Sequence, residues 1–134
     1  MILSTTTQRF RDAVLSGDHA AIEPLFTPDA RMFSPVKFTP FEGRPMILGL
    51  LGVLLRTFEG FHYVGEFGGG DSDVLEFRAT VKGTQIHGID LFRFDDQGLI
   101  NEFTVMVRPL SAVTALSDAV LAGLVADGLV PAPQ

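Results

Sequence analysis

The 134-residue chain has no cysteine and no tryptophan, only one tyrosine and three histidines, and its basic residues are outnumbered 10 to 16 by acidic ones. Each scarcity removes a class of function. Without cysteine there can be no disulfide, no thiolate metal ligand and no cysteine nucleophile, a composition that fits a reducing cytoplasm. A formal charge of −6 and a pI near 4.8 leave no concentrated Lys/Arg face to neutralise phosphates, so no nucleic-acid partner is expected. His19, His62 and His87 are scattered without short ligand spacing; no metal site and no cofactor is expected. The longest apolar run, Met46 to Leu55, lies between Arg44 and Arg56 and is about half the length of a membrane span. It predicts a buried helix and no membrane partner. Met1 to Thr7 lacks a basic start followed by an apolar run, so no secretory signal is expected and the cytoplasm is the expected location.

What the chain does have is 46% apolar residues, among them 12 phenylalanines. A chain of this length buries about two thirds of its unfolded surface, which predicts one domain over 1–134: a core over 5–108, a C-terminal helix over 110–126 and a tail over 127–134. Ser4 or Thr5 can cap a helix running to about Leu15. Ser16-Gly17-Asp18 ends it, and His19 to Phe26 reads as a second helix that Pro24 should shorten or distort. A short strand is expected over Ala30 to Ser34, then a loop from Pro35 to Glu42. Pro45 suits the first turn of a third helix reaching about Thr57, apolar on all sides, in which Gly49 and Gly52 would permit close approach of a neighbour. Strands are predicted over Phe61 to Phe67, Val74 to Lys82, Ile86 to Phe94 and Leu99 to Val107. Gly83-Thr84 reads as a two-residue hairpin loop between the second and third of them. Gly68 to Ser72 joins two strands and lacks the features of a phosphate loop.

Alternation along Ile86-His87-Gly88-Ile89-Asp90-Leu91-Phe92-Arg93-Phe94 puts Asp90 on one face with Ile86, Gly88, Phe92 and Phe94, and His87, Ile89, Leu91 and Arg93 on the other. An ionised acid among large apolar groups is costly unless paired. Asp90 therefore has partners, or holds its proton at neutral pH, or is not buried. Folding the hairpin at Gly83-Thr84 pairs Val81 with Ile86 and Phe77 with Asp90; pairing Phe94 with Leu99 brings Phe103 beside Asp90. The acid is thus expected among Phe77, Phe92 and Phe103. Ser34 would either touch a ligand or cap the turn before Pro35. His62 would reach the pocket if it, and not Tyr63, faces inward, whereas His87 lies opposite Asp90. Glu76, Arg78, Glu102 and Thr104 with Ile89, Leu91 and Met106 form an apolar patch ringed by polar groups. A homodimer through this outer sheet face is expected. Alternatively the C-terminal helix covers part of that face, or stands over the open end of the pocket.

Helix, helix, short strand, apolar helix and a run of hairpins is an α+β order with helices on one face of a curved antiparallel sheet. Phe10 to Phe26 with its Gly17-Asp18 turn, Pro28-Asp29-Ala30, Gly43-Arg44 and Ile89 to Ile100 resemble the nuclear transport factor 2-like (NTF2-like) superfamily, nearest its SnoaL-like and ketosteroid-isomerase branches. The resemblance spans Gln8 to Val107 and implies a cone-shaped, cystatin-like domain with an apolar pocket between sheet and helices, frequently dimeric through the outer sheet face. By the same resemblance Asp90 falls on the acid that ketosteroid isomerases keep protonated in their oxyanion hole. Phe10 replaces their hydroxyl donor, and Ser34 replaces the proton-moving Asp. Epoxide-hydrolase-like and cyclase branches carry an acid near Val105, where this chain is apolar.

Three functions remain open. One is a binding module for a hydrophobic small molecule, walled by Phe10, Met32, Phe77, Phe92, Phe103 and Val105. Another is an isomerase, dehydratase or cyclase for a carbonyl-bearing apolar substrate, with Asp90 as acid and Ser34 or His62 assisting. The third is a non-catalytic interaction domain.

Overall fold

A computed structural model describes residues 2–131. Helix α1 (Thr5–Ser16) begins where the Ser4 hydroxyl accepts a hydrogen bond from the Thr7 amide at 3.1 Å. It buries Thr7, Phe10 and Ala13. Where a second helix was expected, two short 3₁₀ turns over His19–Ala21 and Glu23–Leu25 bury Ile22 and Leu25. Pro24 in this segment can donate no amide to a longer helix.

Strand β1 (Phe26–Phe33) starts four residues before its predicted position. The supposed loop ends in a two-residue strand β2 (Phe41–Glu42) that pairs with Arg31 and Met32. Helix α2 (Arg44–Thr57) follows, with Pro45 in its first turn and Ile47, Leu50, Leu51, Val53 and Leu54 buried. Then come β3 (Glu59–Gly68), β4 (Ser72–Val81), β5 (Thr84–Phe94), β6 (Ile100–Arg108) and helix α3 (Leu110–Ala126). The six strands form one curved sheet in the order β2-β1-β6-β5-β4-β3, with β1 parallel to β6 and every other pairing antiparallel. The expected α+β architecture is the one observed.

Two registers differ from the sequence expectation, each by two residues. The β4–β5 turn is Lys82-Gly83, whose φ angles of 49° and 81° are both positive, as a tight hairpin of this hand requires. Val81 therefore pairs with Thr84, Phe77 with Gly88 and Leu75 with Asp90. Between β5 and β6 an irregularity at Arg93/Phe94 absorbs the turn, so Asp90 lies opposite Val105 and Phe92 opposite Phe103. A shift by two preserves which face each side chain occupies. The inner face predicted from alternation is accordingly the buried one: Leu75, Phe77, Ala79, Val81, Ile86, Phe92, Phe103 and Val105.

Of the two positions expected for the C-terminal helix it takes the second, over the open end of the pocket and against α2. Gly123 permits this approach, since a Cβ there would lie 2.5 Å from Val53 Cγ1. Arg56 and Asp127 close the far end of the contact at 2.7 Å. Of the two α2 glycines expected to admit a neighbour, Gly49 meets the Leu129 side chain and Gly52 meets nothing within 4 Å. Leu129 and Val130 pack on the core, so this part of the expected tail is held; residues 132–134 lie outside the described residues.

Asp73, 2% exposed, ties the N-terminus to β4 by accepting hydrogen bonds from the Ser4 amide at 2.8 Å and the Thr7 hydroxyl at 2.7 Å. Replacing it leaves the Ser4 amide and the proton of the buried Thr7 hydroxyl without their acceptor, although Thr7 Oγ1 still accepts from the Ser4 hydroxyl at 3.0 Å. Asp73→Ala is expected to lower stability by about 2–3 kcal/mol in urea unfolding, and an effect within 0.5 kcal/mol, the ordinary scatter for surface changes, would show the tie to be dispensable.

Candidate functional site

Asp90 enters the interior because β5 alternates. With Gly88 and Phe92 fixed inward on the same strand, its carboxyl follows them to 6% exposure. No hydrogen bond to that carboxyl is found among the described residues. Loss of water drives its pKa from 3.8 up to about 8, because a charged carboxylate is poorly solvated among hydrocarbon. Burial without a charged partner thus favours the second of the three alternatives, the protonated form.

Around it lies a hollow of about 20 Å³ lined by Phe10, Phe77, Phe103 and Val105 of the predicted set, together with Tyr63, Phe58, Phe61 and Leu54. Phe92 is not in its wall. It is fully buried behind the wall, 5.0 Å from Phe10 and 5.1 Å from Phe103 between ring centres.

A second, far larger space of about 470 Å³ opens between α2, α3 and the β1–β6 part of the sheet. Met32, Ser34 and Val105 line it, and its helical wall comes from Leu50 and Leu54 of α2 and from Leu116, Val120, Leu121 and Leu124 of α3. Among the described residues Lys37 is the only charged one in that wall, its ammonium 4.3 Å from the centre of the Phe41 ring. Leu54 and Val105 belong to both walls and separate the two spaces. Ser34 therefore lines the large pocket and is no part of the wall around Asp90. Its hydroxyl accepts the amides of Val36 at 3.3 Å and Lys37 at 3.4 Å, which braces the rim loop.

His62 corrects the sequence expectation. It is exposed, with Nδ1 2.9 Å from its neighbour Gly60's carbonyl. Tyr63 takes the inward position, packed edge-on against Phe61 at 5.1 Å. Its hydroxyl is buried and has no hydrogen-bond partner, and its pKa is raised first by burial and then by the nearby Asp90 charge. The signal was present in the sequence, for Phe61 and Tyr63 share a face as the bulky pair around His62. The α3 residues were legible as an apolar helix face, but not as a pocket wall. Among the described residues no three His, Asp or Glu side chains gather to hold a metal ion. No helix among them is long and apolar enough to cross a membrane.

Helices on the concave side of a curved sheet, enclosing an acid in an apolar interior, define an NTF2-like, cystatin-like fold. The sequence matches the SnoaL-like domain over residues 7–103, and the chain belongs to that family. Among solved structures it is similar to a steroid delta-isomerase from Pseudomonas aeruginosa, at 33% identity over 97% of this chain and 99% of that one, TM-score 0.90. It is also similar to an uncharacterized bacterial protein with a cystatin-like fold from Silicibacter pomeroyi, at 32% identity over 93% and 89% of the two chains, TM-score 0.88. An NTF2-like protein of unknown function from Burkholderia xenovorans, 19% identical over 76% and 79% with a TM-score of 0.66, shares the fold. None of the curated proteins matches the sequence.

Because the folded acid keeps a proton that the unfolded acid releases above pH 3.8, the native state binds more protons between there and about pH 8. Stability from this group must therefore fall as pH rises through that window, by up to about 1.4 kcal/mol per pH unit, and level off above it. Urea unfolding across the window should show Asp90→Asn losing that slope. Identical slopes in the two proteins would mean Asp90 is ionised in the fold.

Proposed function

We propose that this protein binds a hydrophobic small molecule in the pocket between α2, α3 and the sheet. The observation that carries this reading is the pocket itself: its volume of about 470 Å³ falls within the roughly 300–1,000 Å³ typical of small-molecule sites. Its wall among the described residues is apolar apart from Ser34, Ser117 and Lys37 at the polar positions. Such a wall rewards apolar area and gives little directional specificity. Native mass spectrometry against steroids, polyketides and fatty acids tests it. Leu121→Glu, at a position already 47% exposed, should leave the fold intact and weaken binding at least about tenfold, or 1.4 kcal/mol; unchanged retention of every ligand would sink the assignment.

A second reading is favoured by the unpaired acid. A carboxyl that keeps its proton near neutral pH can donate to an oxygen that gains negative charge, as isomerisation, dehydration or cyclisation of a carbonyl compound requires. The steroid delta-isomerase relative supports the same direction. Against a complete catalyst stands the lack of a base in the hollow: among the described residues Asp90 is the only acidic one in its wall, and no histidine lines it. The binding reading therefore comes first.

We also infer a homodimer through the outer sheet face in the cytoplasm. Ile89 and Leu91 lie there half-buried, Ile89 opposite Met106, which is 49% exposed. Polar groups border them: His87 Nε2 lies 2.6 Å from a Glu76 carboxylate oxygen, and Arg31 pairs with Glu102. An apolar patch with a polar rim is the usual anatomy of a subunit interface. Leu91→Arg should convert a dimer to a monomer in sedimentation, and a wild-type mass equal to one chain would refute the interface.

A further inference from the structure

The wall of the large pocket changes character from its floor to its mouth. Met32, Leu50, Leu54, Val105, Leu116 and Leu124 are buried, whereas Val36 and Leu121 are about half exposed and Lys37 is exposed. The floor is hydrocarbon and the mouth meets water. Ser34 and Lys37 both line the space from the loop that joins β1 to β2. The Ser34 oxygen accepts the amides of Val36 at 3.3 Å and Lys37 at 3.4 Å, which occupies both of its lone pairs and leaves it a proton to donate.

Lys37 is placed by its surroundings. Its ammonium lies 4.3 Å from the centre of the Phe41 ring, itself part of the pocket wall, and a cation over a ring face is held there by the ring's quadrupole. Among the described residues no carboxylate forms an ion pair with it. One full positive charge and one hydroxyl proton thus stand at the entrance to an apolar chamber. An amine entering there would meet a like charge. A phosphate monoester would bring nearly two negative charges to a single cation, on a chain whose own formal charge of −6 already opposes it. A carboxylate carries one charge and only accepts hydrogen bonds, which complements one ammonium and one hydroxyl.

Resting on the pocket reading above, we propose that the ligand is a long-chain monocarboxylate, with its hydrocarbon laid along the apolar floor beneath α3 and its carboxylate at the mouth against Lys37 and Ser34. Each methylene that leaves water for the floor adds affinity without direction. Lys37 supplies the direction. It fixes which end of the molecule stays at the mouth, and it sets the preference for an acid over an alcohol of the same chain.

Displacement of the fluorescent dye N-phenyl-1-naphthylamine, at about pH 7.5 where a free carboxylic acid is ionised, gives dissociation constants for dodecanoate and 1-dodecanol. The two share a chain and differ in charge. Both should displace the dye from the wild-type protein. In Lys37→Met, which keeps an apolar stem and removes the charge, the ratio of the acid's constant to the alcohol's should rise about fivefold, as for a good ion pair at a wet surface. Lys37→Glu should raise the ratio further and make dodecyltrimethylammonium bind more tightly than dodecanoate. A ratio unchanged in both variants, or displacement by the alcohol and not the acid, would overturn the carboxylate assignment while the apolar pocket stands. If neither chain displaces the dye, or the dye itself does not bind, the pocket reading falls and this one with it.

Discussion

The alternation of side chains across the curved sheet is the constraint on which the rest depends. Alternate residues through β4 and the middle of β5, with Phe103 and Val105 of β6, are buried beneath the helices. At the centre Phe10 of α1 meets Phe92 and Phe103 at ring separations of 5.0 and 5.5 Å, and Phe26 closes on Phe103 at 5.9 Å. Tilted and edge-on aromatic pairs of this kind add about 0.5–1.5 kcal/mol each beyond the area they bury. Turning β5 by one residue to expose Asp90 would expose Ile86 and Phe92 with it. The acid is inside because its strand cannot afford to have it outside.

The two buried acids show how differently one side-chain type can be used. Asp73 sits at the start of β4 with donors from Ser4 and Thr7 directed at it, and joins the N-terminus to the sheet. Asp90, in the middle of β5, is given no donor and keeps its proton. A structural carboxylate is surrounded by groups that satisfy it. A protonated carboxyl left unpaired beside an unpaired phenol is a local cost borne by the rest of the core, and such costs concentrate where a protein meets its ligand.

Likeness to a steroid delta-isomerase over nearly the whole chain describes the scaffold, and function on this scaffold depends on the groups placed in its interior. Here the interior is divided. The acid lies in a space scarcely larger than a water, while the room for a ligand lies beyond Leu54 and Val105 under α3. The last helix therefore does more than cover the core. Leu116, Val120 and Leu124 turn an open end of the sheet into an apolar chamber.

Much of this was legible in the residues. The inner face of each long strand, the apolar helix before them, the burial of Asp90 and the family likeness all follow from periodicity and local motif, because a strand's faces are set by a two-residue repeat that survives a register error of two. The partition by Leu54 and Val105 and the place of α3 did not follow. Those depend on where elements distant in sequence meet: on Gly123 admitting Val53, on a tight turn at Lys82-Gly83, and on an irregularity at Arg93/Phe94. The amino-acid order by itself determined which side chains must leave water. Only the packed structure decided which of them met, because that choice rests on shape and contact between surfaces that local sequence does not encode.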